Sequence, residues 1–173
     1  MKTRRREGDV PEPRSRWDEI TTGLWVGGHV WSVADRAHQD VVVEREFDLV
    51  ISLYTRAGHG PADGVEHHVA PIPDDWLTAE EIDRVRGLAV VAADAVRAGR
   101  RVLVRCYSGY NRSGLVAAQA LIELGHDGAG AIDRVRLRRS PWALHNLAFE
   151  QYLLTGLDVA SLLSGLEPPP ERR

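Results

Sequence analysis

The stretch VRCYSGYNRSG runs from Val104 to Gly114 and holds the only cysteine of this 173-residue chain. It follows a short apolar run, RVLV (Arg101–Val104), of the kind that forms a strand buried on both faces. It leads into Ser113, Leu115, Val116, Ala118, Leu121 and Ile122, whose spacing is helical, with Gly125 as the stop. Strand, glycine-containing loop and helix in that order make one unit of an α/β fold. In open sheets of this class, ligands bind beyond the carboxyl ends of the strands. A loop entering a helix N-terminus turns several backbone N–H groups inward, and those donors with the helix dipole favour an anion. The same field favours a thiolate, so Cys106 is expected to be a nucleophile rather than a packing residue. Gly109 lets the backbone curl around a bound anion. Arg112 can hold two oxygens of a tetrahedral oxyanion in its fork. Ser113 can cap the helix and donate its hydroxyl toward the sulfur.

Outward from the loop, strands alternate with helices. GLWVGG (Gly23–Gly28), FDLVISLY (Phe47–Tyr54) and VEHHVAPI (Val65–Ile72) read as strands. Ser32–Asp40 reads as a short helix capped by Ser32. Thr78 and Glu81 form a capping box, which predicts a helix through Ile82, Val85, Leu88, Ala89 and Ala92 to Gly99. Gly128–Arg139 predicts another helix. Ser140 and Pro141 read as the cap and first turn of a last main helix, ending near Thr155. The expected class is α/β: a central, mostly parallel sheet of four to five strands flanked by helices. No internal repeat or second domain is apparent. Residues 1–16 and 161–173 read as tails around one domain at 17–160.

Hydrophobic residues at 43% and charged residues at 27% suit a globular domain that buries a core. A net charge of -3 gives no global attraction to nucleic acid or to an anionic membrane. No apolar stretch is long enough to span a bilayer. One cysteine cannot make an internal disulfide, and the charged amino terminus lacks the apolar core of a secretory signal. These features predict a cytoplasmic protein with no nucleic-acid or membrane partner. His67 and His68 are adjacent and would face opposite sides of a strand, so no metal site is expected there.

The spacing Cys-x5-Arg-Ser resembles the phosphate loop of the cysteine-dependent protein tyrosine phosphatase superfamily, in particular its dual-specificity phosphatases. The resemblance runs roughly from Ile20 to Thr155. It implies Cys106 as nucleophile, Arg112 as phosphate-binding arginine and Ser113 as the hydroxyl that helps the thiolate leave. The backbone of Tyr107, Ser108, Gly109, Tyr110, Asn111 and Arg112 would bind the phosphate. HHVAPIPDD resembles the segment that carries the family's general acid, which implies Asp74, with Asp75 the adjacent contender. HNLAF (His145–Phe149) resembles the asparagine-containing start of the last helix, which makes Asn146 a supporting candidate. One departure is Arg105, where the family usually has His. An arginine there supplies positive charge but not the same neutral hydrogen bonds.

The resemblance implies a phosphatase that hydrolyses phosphate monoesters without cofactor or metal, through a cysteinyl-phosphate. Its substrate would be a phosphorylated protein, at tyrosine or at serine/threonine, or a small phosphate monoester. The loop carries no lysine, which disfavours a highly charged inositol head. The rival readings are a phosphate-binding pseudophosphatase, a metabolite or lipid phosphatase, and a sulfurtransferase.

Overall fold

A computed structural model describes residues 10–34 and 37–167. Among the described residues, seven strands, β1 (Trp17–Thr21), β2 (Leu24–Gly27), β3 (Val30–Trp31), β4 (Gln39–Asp40), β5 (Leu49–Ser52), β6 (Glu66–Val69) and β7 (Val102–Arg105), join five helices. The helices are α1 (Ala79–Arg97), α2 (Arg112–Glu123), α3 (Gly128–Arg138), α4 (Leu147–Thr155) and α5 (Leu157–Leu166). The main sheet has the order β1-β2-β7-β5-β6. β2, β7, β5 and β6 are parallel, and β1 alone runs antiparallel to β2. Gly27 and Ser52 both pair with Arg105, and Ser52 pairs with Val69. The carboxyl ends of the four parallel strands therefore lie side by side on one edge, and the loop after β7 starts from the middle of it.

Every residue of β5 and β7 is buried, as strands covered on both faces require. Leu49, Ile51, Val102 and Val104 face the helices and join Leu88, Ala92, Leu115, Leu121 and Phe149 in the larger core. Val50 and Leu103 point the other way, because strand residues alternate. That face is covered by Val43, Phe47, Trp17, Trp25 and Val65 rather than by a helix. Phe47 meets both Trp17 and Trp25 edge-on, with ring centroids 5.2 and 5.5 Å apart.

The capping box forms as expected. Thr78 Oγ1 accepts from Glu81 N, and Glu81 Oε2 accepts from Thr78 N. Gly99 and Gly125 take positive φ just after α1 and α2.

Four readings differ from the expectation. Ser140 and Pro141 open only a turn, in which Ala143 N donates to Ser140 O. Leu144 then enters the left-handed region at φ 57°, where no helix can continue, and Asn146 caps α4 through its side chain to Ala148 N. After Gly156, at φ 101°, the chain starts α5, so residues 161–166 are helical rather than tail. Residues 168–173 lie outside the described residues. Residues 10–16 are anchored: Pro13 is buried with its carbonyl accepting from Ser32 N, and Pro11 O accepts from Tyr110 Oη. Residues 1–9 lie outside the described residues. The helix expected over Ser32–Asp40 falls partly on Asp35 and Arg36, also outside them. Flanking these, β3 and β4 pair antiparallel instead.

Candidate active site

The loop from Cys106 to Asn111 is held by its carbonyls. Tyr107 O accepts from His29 N at 2.7 Å. Ser108 O and Gly109 O accept from Arg139, through Nη2 at 2.9 Å and Nε at 3.1 Å. Tyr110 O accepts from Leu144 N at 3.2 Å. Each of these four peptide units is planar and trans, so an outward carbonyl points the N–H of the next residue inward. The amides of Ser108, Gly109, Tyr110 and Asn111 therefore face the concave side of the loop. Arg139 is itself secured from behind by Asp18 Oδ2 at 2.7 Å and by Ser15. Gly109 sits at φ 75°, and a Cβ there would lie 2.6 Å from the backbone of Gly27. A Cβ on Gly28 would lie 2.6 Å from Tyr107 O. Glycine at these two points lets β2 and the loop approach backbone to backbone.

Cys106 is 2% exposed at the base of this loop, and its Sγ lies 3.3 Å from Ser113 Oγ in the first turn of α2. The Arg112 guanidinium lies over the Tyr54 ring, 5.6 Å from its centroid. Arg112 Nη1 reaches Ile72 O at 3.5 Å, while its buried Nε has no hydrogen-bond partner among the described residues. A buried cationic donor left over beside a sulfur and a row of inward amides is suited to an oxyanion.

Asp74 meets this loop across the cleft. Its Oδ2 accepts from Asn111 Nδ2 at 3.0 Å and its Oδ1 from Asn146 Nδ2 at 2.8 Å. Asn111 and Asn146 are both buried, and Asn146 N donates to Asn111 Oδ1 at 3.0 Å. Asp75, by contrast, turns back to accept from Trp76 N. A cleft of about 530 Å³ brings together Asp74, Cys106, Arg112, Tyr54, Tyr107 and Tyr110. Val10, Pro11, Glu12, His38 and His145 also line it. Glu12 pairs with His38 at 3.2 Å on the rim.

Arg105 does not line this cleft. Its Nε donates to Ser52 Oγ, and its Nη1 and Nη2 donate to His59 O and Gly60 O. Its support is therefore of the 59–60 segment and the end of β5. Burial pushes its guanidinium down to about 10. Beside it, His29 is fully buried, with Nε2 donating to Tyr54 O and Nδ1 unpartnered among the described residues. Burial first, then the charge of Arg105, lowers the His29 pKa to about 3, so the ring is neutral. Trp76 packs edge-on to Tyr152 at 6.0 Å and lines a separate groove of about 430 Å³ with Leu163.

His29, His145, Arg139 and Glu12 were not singled out from sequence. Each reaches the site through a contact with distant residues and carries no local pattern. His145 and Arg139 do stand beside Asn146 and the expected end of α3, the only sequence cue to them.

No protein-family model and no curated protein matches the sequence. Solved structures match the fold. Human DUSP28 aligns at a TM-score of 0.66 and 21% identity, over 87% of this chain and 98% of that one. A mouse dual specificity phosphatase complexed with zinc tungstate aligns at 0.57 and 24%, over 88% and 93%. PTPMT1 in complex with PI(5)P aligns at 0.60 and 12%, over 85% and 99%. The chain therefore has the dual-specificity-phosphatase-like α/β fold.

Proposed function

We propose that the chain is a cysteine-dependent phosphatase, hydrolysing phosphate monoesters of proteins through a cysteinyl-phosphate. The observation that carries this reading is the set of four outward-held carbonyls around Cys106. They turn the intervening amides toward the inside of the loop, and Arg112 Nε is a buried donor with no hydrogen-bond partner among the described residues. Donors fixed before the reaction stabilise charge on the equatorial phosphoryl oxygens without reorganising as it develops.

In the first displacement the Cys106 sulfur attacks phosphorus, the S–P bond forms and the bond to the leaving oxygen breaks. Protonated Asp74 gives its proton to that oxygen, without which an alkoxide leaves poorly. In the second, water attacks phosphorus and passes a proton to the Asp74 carboxylate. The S–P bond then breaks, and Ser113 donates its hydroxyl to the departing thiolate.

The cleft supports a protein phosphomonoester, phosphotyrosine above all. Tyr54, Tyr107 and Tyr110 supply aromatic walls for a ring, and Arg112 is the one arginine among the described lining residues. Glu12, an acidic residue in the same wall, disfavours a second phosphate on the substrate. The fold likeness to PTPMT1, solved with PI(5)P, supports a second reading as a lipid phosphatase.

The test is hydrolysis of 4-nitrophenyl phosphate by the wild type and Cys106→Ser, followed by a phosphotyrosine peptide against PI(5)P. The expected outcome is turnover that disappears in Cys106→Ser while tungstate still binds, with the peptide preferred. Turnover surviving that substitution refutes the mechanism. Tungstate binding by a wild type without turnover would instead identify a phosphate-binding module, and preference for PI(5)P the lipid reading.

A further inference from the structure

Asp74 is held by a chain of side chains whose hydrogen-bond polarity can be read off one group at a time. Ala148 N can only donate, so the Asn146 atom 3.0 Å from it is Oδ1, and Asn146 Nδ2 must face Asp74. Asn146 N can only donate, so the Asn111 atom facing it is Oδ1. Asn111 Nδ2 then faces both Asp74 Oδ2 at 3.0 Å and His145 Nε2 at 3.2 Å. Trp142 O can only accept, so His145 Nδ1, at 2.8 Å, carries a hydrogen. His145 Nε2 meets a donor and must offer a lone pair, which only the neutral imidazole has. The ring is in turn fixed by its backbone. Leu144, at φ 57°, is fully buried and donates to Tyr110 O, and Arg136 holds the carbonyls of Ala143 and Leu144. A left-handed, non-glycine residue persists where its surroundings over-determine it.

We propose that His145 is a positioning residue for the general acid. Its neutral Nε2 takes one Asn111 amide hydrogen and thereby aims the other at Asp74 Oδ2. This rests on the phosphatase reading above and adds to it a residue that touches neither phosphorus nor sulfur. Removing the acceptor, or protonating Nε2 so that donor meets donor, takes away one of the contacts that orient the Asn111 amide and loosens an anchor of Asp74. Among the described residues, the other titratable or charged groups near the imidazole include Asp74 across Asn111, Tyr110 at 6.4 Å between ring centroids, Arg136 on the carbonyls of Ala143 and Leu144, and Cys106, Arg112, Tyr54, Tyr107, Glu12 and His38 along the same cleft.

The experiment compares kcat for benzyl phosphate, whose alkoxide needs a proton, with kcat for 4-nitrophenyl phosphate, whose phenoxide leaves readily. It uses the wild type, His145→Ala and His145→Gln, the last placing an accepting oxygen near the position of Nε2. The benzyl-to-nitrophenyl ratio should fall about tenfold in His145→Ala and return to within about threefold of wild type in His145→Gln. Inhibition by orthovanadate should hold in both variants, reporting an intact phosphate loop. In the wild type, long-range proton–nitrogen spectra of the imidazole should show the hydrogen on Nδ1. A ratio unchanged in His145→Ala, equal loss on both esters, or the opposite tautomer overturns the proposal and leaves the phosphatase reading standing. A wild type that hydrolyses neither ester removes the phosphatase reading, and this role with it.

Discussion

Lowering the pH should destabilise this protein through His29, well above the range in which carboxylates titrate. In the native state the ring is fully buried, donates through Nε2 to Tyr54 O at 3.0 Å and lies 5.3 Å from the His59 ring. A second proton would enter a desolvated site close to Arg105, which is why its pKa falls to about 3 from 6.5. In the unfolded chain the ring takes its proton at the ordinary value. Between the two values the unfolded state binds a proton that the native state refuses. Stability contributed by the neutral ring is therefore full above about 6.5 and falls as pH drops toward 3. Each pH unit costs about 1.4 kcal/mol, so moving from pH 8 to pH 5 should cost about 2 kcal/mol. His67, lowered by burial and by Arg105, acts in the same direction. Asp48, held at about 2 by Arg101, loses its contribution only as pH falls below 3.8, so the window from 8 to 5 isolates the histidines. Urea unfolding at both pH values, for the wild type and His29→Gln, measures the effect. The glutamine amide can still donate to Tyr54 O but does not titrate. The wild-type midpoint should drop by about 1 M urea, and the variant's by less than half of that. An equal drop in both proteins would refute the assignment.

Asp74→Asn should slow benzyl phosphate about 100-fold and 4-nitrophenyl phosphate far less, while Asp75→Asn, whose carboxylate turns to Trp76 N, should change both by less than about twofold. The reverse pattern in steady-state kinetics would move the acid to Asp75. Arg139→Met removes the donors to Ser108 O and Gly109 O and leaves Asp18 with Ser15 Oγ but without its cationic partner. It should cost about 3–5 kcal/mol in urea unfolding and weaken tungstate binding by calorimetry, with Arg139→Lys in between. Gly109→Ala forces a Cβ to 2.6 Å from Gly27 at φ 75°, and should cost about 1–3 kcal/mol and lower tungstate affinity. A fully stable alanine variant with unchanged affinity would mean that the loop has room the present backbone does not provide.

The parts of the fold that could be read from the chain are those decided by neighbours in sequence. Thr78 and Glu81 close a capping box within one turn. Leu49–Ile51 and Val102–Val104 are apolar without alternation, which is what burial on both faces requires. The spacing of Cys106, Arg112 and Ser113 puts sulfur, guanidinium and hydroxyl around one short loop because that loop runs straight into a helix. Asn146 could be noticed, but not the direction of its amide.

Other features depend on groups far apart in the chain. Arg139 reaches back 121 residues to Asp18 and 30 to Gly109, and no local pattern marks an arginine that will be buried. Ser140 and Pro141 have good helix-start chemistry, yet the loop continues, because Leu144 is drawn into the core and onto Tyr110 O before Asn146 can begin α4.

Consecutive residues were enough to specify the α/β class, the strand-loop-helix unit and the place of Cys106 and Ser113 around one loop, since backbone periodicity, capping and loop length act over a few positions. Only the folded chain decided which carboxylate meets the loop, what holds the loop's carbonyls and that His29 stays neutral. Those outcomes come from burial and from hydrogen bonds between segments far apart in the chain, from 25 residues for His29 and Tyr54 to 121 for Arg139 and Asp18, whose energies exist only once the segments meet.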